Sequence, residues 1–271
     1  MYAYDFEYDG KKLSEFNFII GDYNDSSGDK TVKTGYQISF NTVPRHSGKI
    51  FSLTSTKYEE CIAVTFQIFK DPCKDDNSII SEQEYFNIVR WLNRREFLRL
   101  KFIYEEPISV DCYYNASFNI SKILCDGKLI GIELAMETDK PFGYGDVVES
   151  NLNFTSNNSS LSVEDLSHEI GYTYPDMVIT CNSSGNLTIT NEMTNSSMTI
   201  KNVTQGEIIT IYGQAMIIES SLNSHKIMND FNWEFLKIQN TYNNNVNIIT
   251  STIPCSIKIS YIPIIKNVPD L

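Results

Sequence analysis

The chain has 271 residues, 41% of them apolar, which is enough to bury a large core without disulfide bonds. Its formal net charge of −12 argues against sequence-independent binding of DNA phosphates, because such binding needs clustered Lys and Arg. No apolar run approaches the ~18 residues of a membrane span, so no membrane insertion is expected. The first ten residues lack the basic start and apolar block of a signal peptide. Six scattered cysteines without zinc-site spacing are typical of reduced thiols in an intracellular product.

The beginning of the chain alternates aromatic and acidic residues and predicts β-strands. Residues 4–8 form the first such segment, and Asp9-Gly10 predicts a hairpin turn, because both residues tolerate positive φ. Residues 13–20 would supply the return strand. The polar, Gly/Ser-rich segment 22–33 predicts a flexible loop. Period-two patterns predict further strands at residues 36–42 and 61–70.

One amphipathic helix is predicted after residue 80. Ser81 and Glu84 have the spacing of a capping box, and Ile80 can pack onto Tyr85 as a hydrophobic staple. The expected apolar face consists of Tyr85, Phe86, Val89 and Leu92. Strands are predicted to follow at residues 98–104, 113–124 and 128–137, the last two joined by a second hairpin turn at Asp126-Gly127.

The segment 141–145, with Pro and Gly around an aromatic pair, interrupts the strand pattern. Beyond it the composition shifts toward Asn, Ser and Thr, and short strands alternate with polar turns without a convincing helix. This spacing predicts an all-β sandwich. The sequence therefore predicts a first domain at residues 1–140, a linker at 141–150 and a second domain at 151–271.

Several segments occur in a characteristic order along the chain. In the second half they are YPDMVITC at 174–181, GEIITIYG at 206–213, NNNVNII at 243–249 and IKISYIP at 257–263. The first half contributes the aromatic opening Phe6, Tyr8 and Gly10, the turn around Arg45 and Gly48, the helix ending in Trp91-Leu92, and the 140–143 segment KPFG. This order resembles the siphophage distal tail protein family over nearly the whole chain.

The resemblance implies a mainly β protein. An N-terminal β-sandwich with one α-helix would be followed by a C-terminal β-sandwich similar to galectins or carbohydrate-binding modules. Six copies would close into a ring at the virion tail tip, after assembly in the host bacterial cytoplasm. The implied partners are the tail tube protein, the tail hub or tail-associated lysin, and the receptor-binding protein. DNA would pass through without specific binding, and neither enzymatic activity nor a cofactor is implied.

A carbohydrate-binding module that binds host cell-surface glycan is the alternative function. The helix-bearing N-terminal half discriminates between the two, because a glycan-binding module alone would not need it. The candidate glycan contacts are Tyr172, Tyr174, Tyr212 and Trp233, since a flat aromatic ring can cover the apolar face of a sugar. The competing interpretation places these aromatic residues in the core, and the neighbouring Phe235 and Leu236 favour the core for Trp233.

The most basic segment of this acidic chain surrounds the end of the predicted helix and contains Arg90, Arg94, Arg95 and Arg99. One interpretation is a subunit interface, because guanidinium groups pair with carboxylates across interfaces. The other is an exposed helix face with local ion pairs of little net value.

Catalytic and metal sites are not predicted. His46, His168 and His225 could each be placed in a serine–histidine–aspartate triad, but the chain has no Gly-x-Ser-x-Gly turn. Adjacent carboxylates such as Glu164-Asp165 point to opposite faces of a strand and do not suit glycosidase chemistry. The acidic cluster of Asp71, Cys73, Asp75 and Asp76 lacks EF-hand spacing and is interpreted as a solvated loop.

Overall fold

The computed structural model describes residues 3–21, 36–45, 48–58, 61–75, 77–105, 111–267 and 269. The chain divides into two compact units, Met1–Tyr144 together with Lys266–Leu271, and Gly145–Ile265. The predicted second domain, residues 151–271, and the second unit end at different residues, because Lys266–Leu271 are grouped with the first unit. The predicted linker 141–150 also contains strand residues, at 143–144 and 148–150. The predicted loop at 22–33 lies outside the described residues.

The first unit is built on an antiparallel sheet with the strand order β2-β1-β7-β8-β9-β6-β3, and a separate hairpin pairs β4 with β5. Its described strands are β1 (Ala3–Tyr8), β2 (Lys11–Lys12), β3 (Phe18–Gly21), β4 (Tyr36–Arg45), β5 (Gly48–Tyr58), β6 (Ala63–Lys70), β7 (Leu98–Tyr104), β8 (Tyr114–Cys125), β9 (Lys128–Thr138) and β10 (Gly143–Tyr144). The return after β1 contains a 3-10 turn at Leu13–Phe16, where a continuous strand was expected.

Both predicted hairpin turns are present. Asp9 and Gly10 have φ of 51° and 72°, and Asp126 and Gly127 have φ of 54° and 74°. In each case two residues connect directly paired strand ends, Tyr8 to Lys11 and Cys125 to Lys128. Positive φ at both central residues matches the right-handed twist of the flanking strands, which explains the Asp-Gly sequence at both places.

The predicted helix is α1 (Glu82–Leu92), and its capping box is confirmed. The Ser81 N–H donates to Glu84 Oε2 at 2.8 Å, and the Glu84 N–H donates to Ser81 Oγ at 3.3 Å. The helix buries Ile88, Trp91 and Leu92, whereas Phe86 is 57% exposed. The predicted apolar face was therefore wrong for Phe86.

Aromatic rings fix α1 to the sheet of the first unit. The Trp91 ring stacks on Phe6 with centroids 5.5 Å apart and on Phe16 with centroids 4.6 Å apart. Its Nε1–H donates to the Tyr8 carbonyl at 3.0 Å. Such pairs add ~0.5–1.5 kcal/mol each beyond the area that they bury. The ring of Trp91 therefore positions the C-terminal end of the helix, where the arginines follow.

The second unit contains a five-stranded sheet in the order β11-β21-β14-β17-β18, a four-stranded sheet in the order β12-β20-β15-β16, and the pair β13-β19. Its described strands are β11 (Val148–Phe154), β12 (Ser159–Glu164), β13 (Gly171–Thr173), β14 (Asp176–Cys181), β15 (Gly185–Asn191), β16 (Ser196–Val203), β17 (Ile208–Tyr212), β18 (Ile217–Ser220), β19 (Ile238–Asn240), β20 (Val246–Ser251), β21 (Cys255–Tyr261) and β22 (Ile264–Ile265). A short helix, α2 (Ile227–Asp230), corrects the expectation of a helix-free second half.

The two larger sheets of the second unit share one hydrophobic core. Ile179 and Ile259 from the five-stranded sheet and Ile189 and Ile249 from the four-stranded sheet are fully buried within it. Alternate residues of these strands face solvent, as expected when each sheet buries one face. The predicted mainly β fold class is confirmed.

Candidate functional site

A groove of about 380 Å³ opens in the second unit, where β14 begins and β17 and β21 end. Asp176 pairs with Ser260 across β14 and β21, and the pairing of Met177 with Ile211 puts Tyr212 in the same row. Because neighbouring strand residues point to opposite faces, the row of Asp176, Ser260 and Tyr212 lies opposite the core. The groove is lined by Val147, Tyr174, Asp176, Tyr212, Gln214, Ala215, Ser260, Tyr261 and Ile262.

Gly213 connects two walls of the groove. Its N–H donates to Asp176 Oδ1 at 2.8 Å. A Cβ at this position would lie 2.3 Å from the carbonyl oxygens of both Tyr174 and Pro175. Backbone atoms cannot move aside as a flexible side chain can, so the close approach requires glycine. The turn after β17 is therefore held against the segment before β14 by close packing and a hydrogen bond.

The exposed part of the lining combines aromatic, apolar and hydrogen-bonding groups. Tyr212 is 43% exposed, and Tyr174 is partly buried against the core. Asp176 and Gln214 are exposed. The lining residues include acidic and neutral side chains, and no Lys, Arg or His is among those described. The groove therefore suits a neutral or cationic ligand better than an anionic one.

Tyr261 also lines the groove, but its hydroxyl is used within the protein. The O–H donates to the Glu164 carbonyl at 2.9 Å, and the oxygen accepts from the Leu166 N–H at 2.8 Å. Burial raises the pKa of Tyr261 to about 12. Its contribution to the groove is therefore a fixed wall.

The structure brings together two of the four candidate glycan residues, Tyr174 and Tyr212. Tyr172 lies on β13, is 57% exposed and has Lys237 Nζ 4.7 Å from its ring centroid. Trp233 is also 57% exposed and has a left-handed φ of 60°. The core interpretation was therefore wrong for Tyr172, Tyr212 and Trp233. Gln214 also lines the groove, directly after Tyr212 and Gly213, and only the pairing of distant strands reveals this position.

The four candidate interface arginines are all exposed, but they differ in their surroundings. Arg94 forms an ion pair with Asp9 at 3.3 Å, and its Nε–H donates to the Trp91 carbonyl at 3.0 Å. The Arg99 guanidinium lies 3.9 Å from the ring centroid of Tyr113. For Arg90 and Arg95 the described part of the chain supplies no carboxylate within 4.0 Å.

The histidines considered for a catalytic triad occupy unrelated environments. His168 is exposed, and His46 lies outside the described residues. The His225 side chain is 5% exposed and contacts Glu207 through Nδ1 at 2.5 Å. The Ser220 hydroxyl donates to the same Glu207 oxygen at 2.5 Å and therefore does not donate to the imidazole, as a triad serine would. This arrangement binds a buried carboxylate and does not activate a nucleophile.

Acidic residues before α1 form ion pairs and hydrogen bonds with nearby residues of the first unit. Lys70 Nζ lies 2.5 Å from Asp75 and 3.0 Å from Glu84, and the Cys73 N–H donates to Asp71 at 2.9 Å. Asp76 lies outside the described residues. Within the described ranges no group of three His, Cys, Asp or Glu side chains could hold a metal ion. No helix in these ranges is both long enough and apolar enough to span a membrane.

Family models match both halves of the chain. A model described as a phage tail protein N-terminal domain matches residues 1–140, and one described as a phage tail C-terminal domain matches residues 142–261. The chain belongs to this family of phage tail proteins. A comparison with curated proteins finds no match.

The fold of this phage tail protein is similar to that of a solved tail protein. The crystal structure of the Dit protein of phage SPP1, described as a paradigm of the hub adsorption apparatus in phages that infect Gram-positive bacteria, aligns with a TM-score of 0.63 and 13% identity. The alignment covers 96% of this chain and 98% of that chain. The phage P2 baseplate in its activated conformation with Ca aligns at a TM-score of 0.42 and 10% identity, over 99% of both chains. The predicted recognition of a phage tail component is confirmed by the family match, and the fold agrees with that of SPP1 Dit.

Proposed function

We propose that this phage tail protein is the distal tail protein of its particle and forms a hexameric ring at the tail tip. The observation that carries the proposal is the fold correspondence with SPP1 Dit over 96% of this chain, which includes both units. An isolated glycan-binding module would account for the second unit alone. In this proposal the protein is a structural component and neither an enzyme nor a cofactor-binding protein.

The ring would join the tail tube protein to the tail hub or tail-associated lysin and to the receptor-binding protein. Subunits made in the host cytoplasm would assemble there with these partners. The first unit would supply the self-contacts of the ring, since it contains α1 with its exposed arginines. The second unit would then be available for contacts outside the ring.

The ring would leave a channel through which DNA passes without specific binding. The formal net charge of −12 supports this part of the proposal, because a wall rich in Lys and Arg would bind phosphates and slow the passage of DNA. Tight binding of duplex DNA that weakens steeply with salt would contradict it.

Within the first unit, Arg90 and Arg95 are the better candidates for subunit contacts. Arg94 and Arg99 already contact Asp9 and Tyr113 within the same unit. A guanidinium without an intramolecular carboxylate can pair with a carboxylate of a neighbouring copy, and its planar donors suit such a contact. We therefore assign the interface role first to Arg90 and Arg95.

The oligomeric state of the full chain tests this function. Native mass spectrometry and light scattering after size exclusion are expected to give six times the chain mass, and electron microscopy is expected to show a ring. Addition of the tail tube protein from the same particle should give a complex that retains the ring. A chain that stays strictly monomeric at high concentration, alone and with that partner, would refute the distal tail assignment.

A further inference from the structure

We propose that the groove between Tyr174 and Tyr212 binds a neutral pyranose sugar. This would be a binding function beyond the structural role in the ring, and the binding itself does not depend on ring formation. The volume of about 380 Å³ lies within the range of roughly 300–1,000 Å³ that is typical of small-molecule sites. The groove can therefore hold a small glycan, and the chemistry of its lining decides which class fits.

Aromatic and aliphatic surface is available for the apolar face of a sugar ring. Tyr212 is 43% exposed and stands on a strand of the five-stranded sheet, so its ring presents a supported surface to a ligand. Val147 and Ile262, 57% and 41% exposed, extend this surface along the groove. The axial C–H groups of a pyranose carry partial positive charge and pack favourably on the negative face of an aromatic ring.

Hydrogen-bonding groups lie beside this surface. Asp176 Oδ1 accepts from the Gly213 N–H, and Oδ2 has no donor among the described residues. Gln214 supplies an amide that both donates and accepts, and Ser260 supplies a hydroxyl in the same row. Vicinal sugar hydroxyls need this mixture of acceptor and donor groups, because each O–H both donates and accepts.

The charge of the lining selects against acidic sugars. Asp176 is its ionisable carboxylate, and no cationic side chain is among the described lining residues. A uronic acid, a sialic acid or a sugar phosphate would therefore place its negative charge near Asp176 without a compensating partner. A quaternary ammonium could contact the tyrosine rings and Asp176. It would leave the donors of Gln214 and Ser260 unused, so the neutral sugar matches more of the site.

Contacts within the protein hold the walls of the site in place. Gly213 lies so close to the Tyr174 and Pro175 carbonyls that the turn carrying Tyr212 and Gln214 is held against Asp176. A preformed site does not lose the ordering free energy that a mobile loop loses on binding. Because the groove is open and its ligand small, we expect a dissociation constant on the order of 1 mM for a single sugar residue.

Saturation-transfer NMR and calorimetry on the full-length protein test the proposal. The probes are the methyl pyranosides of glucose, galactose, mannose and N-acetylglucosamine, with glucuronic acid and tetramethylammonium as charged comparisons. At least one neutral glycoside is expected to bind. Tyr212→Ala should weaken this binding about tenfold, because the stacking surface is lost. Asp176→Asn should weaken it while retaining an oxygen that accepts from Gly213.

Tyr242→Ala is the matched control, since Tyr242 is 89% exposed and lies outside the groove. This variant should bind the glycoside as the unmodified protein does. Failure of all neutral glycosides to bind, equal binding by Tyr212→Ala, or preferential binding of tetramethylammonium would each overturn the proposal. The mass of the oligomer, measured on the same samples, tests the ring separately. Failure of sugar binding therefore does not imply failure of the ring, and the reverse also holds.

Discussion

His225 Nδ1 lies 2.5 Å from Glu207 Oε1, and the two side chains are 5% and 0% exposed. Glu207 also accepts from Ser220 Oγ at 2.5 Å and from the Thr204 N–H at 2.9 Å. On the other side of the imidazole, His225 Nε2 lies 3.3 Å from Asp230 Oδ2. The imidazole thus lies between the carboxylate before β17 and the short helix α2, and its contact with Glu207 stabilises the edge of the five-stranded sheet.

His225→Ala is expected to destabilise the second unit by about 1–3 kcal/mol, because it removes one hydrogen-bond partner of the buried Glu207 carboxylate. Chemical denaturation followed by tryptophan fluorescence measures the change, since Trp233 lies in the same unit. His168→Ala is the matched control, because His168 is exposed, and it should change the free energy of unfolding by less than about 0.5 kcal/mol. Equal effects of the two substitutions would show that the Glu207 contact contributes little.

The stability of the second unit should also depend on acid through Glu207. Burial raises the pKa of Glu207, but the hydrogen bonds from His225, Ser220 and Thr204 outweigh it and hold the pKa below its usual 4.5. A carboxyl whose pKa is lower in the folded state stabilises the fold above the unfolded pKa and loses this contribution as pH falls through the folded pKa. Melting temperatures should therefore fall below about pH 4.5, and Glu207→Gln should flatten that dependence. An equally steep decline in Glu207→Gln would assign the acid sensitivity to other groups.

The structural features that could be predicted from the sequence depend only on residues close together in the chain. The Ser81–Glu84 capping box and the Asp-Gly turns depend on residues within a few positions of each other, and all are present. The exposure of Trp233 could not be predicted in this way. It follows from Asn232, which donates to the Ser197 carbonyl and accepts from the Thr199 N–H at the edge of β16. Those partners lie more than 30 positions away in the chain.

The groove was predictable only in part for the same reason. The aromatic rings of Tyr174 and Tyr212 make both residues candidate glycan contacts, but 38 positions separate them in the chain. The register of β14 against β17 brings them together, and this register is set by core pairs such as Met177 with Ile211. Gly213 shows no special signal in the sequence, because its role depends on the backbone of Tyr174 and Pro175.

Gly213→Ala should destabilise the second unit by more than the ~1–2 kcal/mol expected from an unfavourable backbone conformation alone. Its Cβ would lie 2.3 Å from two carbonyl oxygens, so backbone must move. Gly206→Ala is the comparison, since Gly206 has a φ of 83° but nothing within 4 Å of an added Cβ. Denaturant midpoints measure both. A smaller loss for Gly213→Ala than for Gly206→Ala would contradict the close packing of the turn.

The cysteines should separate by reactivity, since the structure describes all six and places none of them in a disulfide. Burial raises the pKa of Cys181 to about 12 and also raises the pKa values of Cys112 and Cys255. Because the thiolate is the reactive form, these three should react with a disulfide reagent only after denaturation. Cys73 and Cys125 are exposed and should react in the native protein. Rapid native labelling of Cys181, located by mass spectrometry of peptides, would contradict the buried position on β14.

The structure changes which arginines test the subunit interface. Arg90→Glu together with Arg95→Glu should dissociate the ring while changing the melting temperature little, because neither side chain has a carboxylate partner among the described residues. Charge reversal places two anions where a neighbouring subunit would present carboxylates, and like charges at an interface cost several kcal/mol. Arg94→Glu is the matched comparison, since it breaks the contact with Asp9 and places two carboxylates together within one subunit. Arg94→Glu should lower the melting temperature of the first unit only slightly, because the Arg94–Asp9 ion pair is exposed to solvent.

The oligomer distribution from native mass spectrometry and the thermal unfolding curve are measured on the same samples. A ring that survives the double substitution would remove Arg90 and Arg95 from the interface.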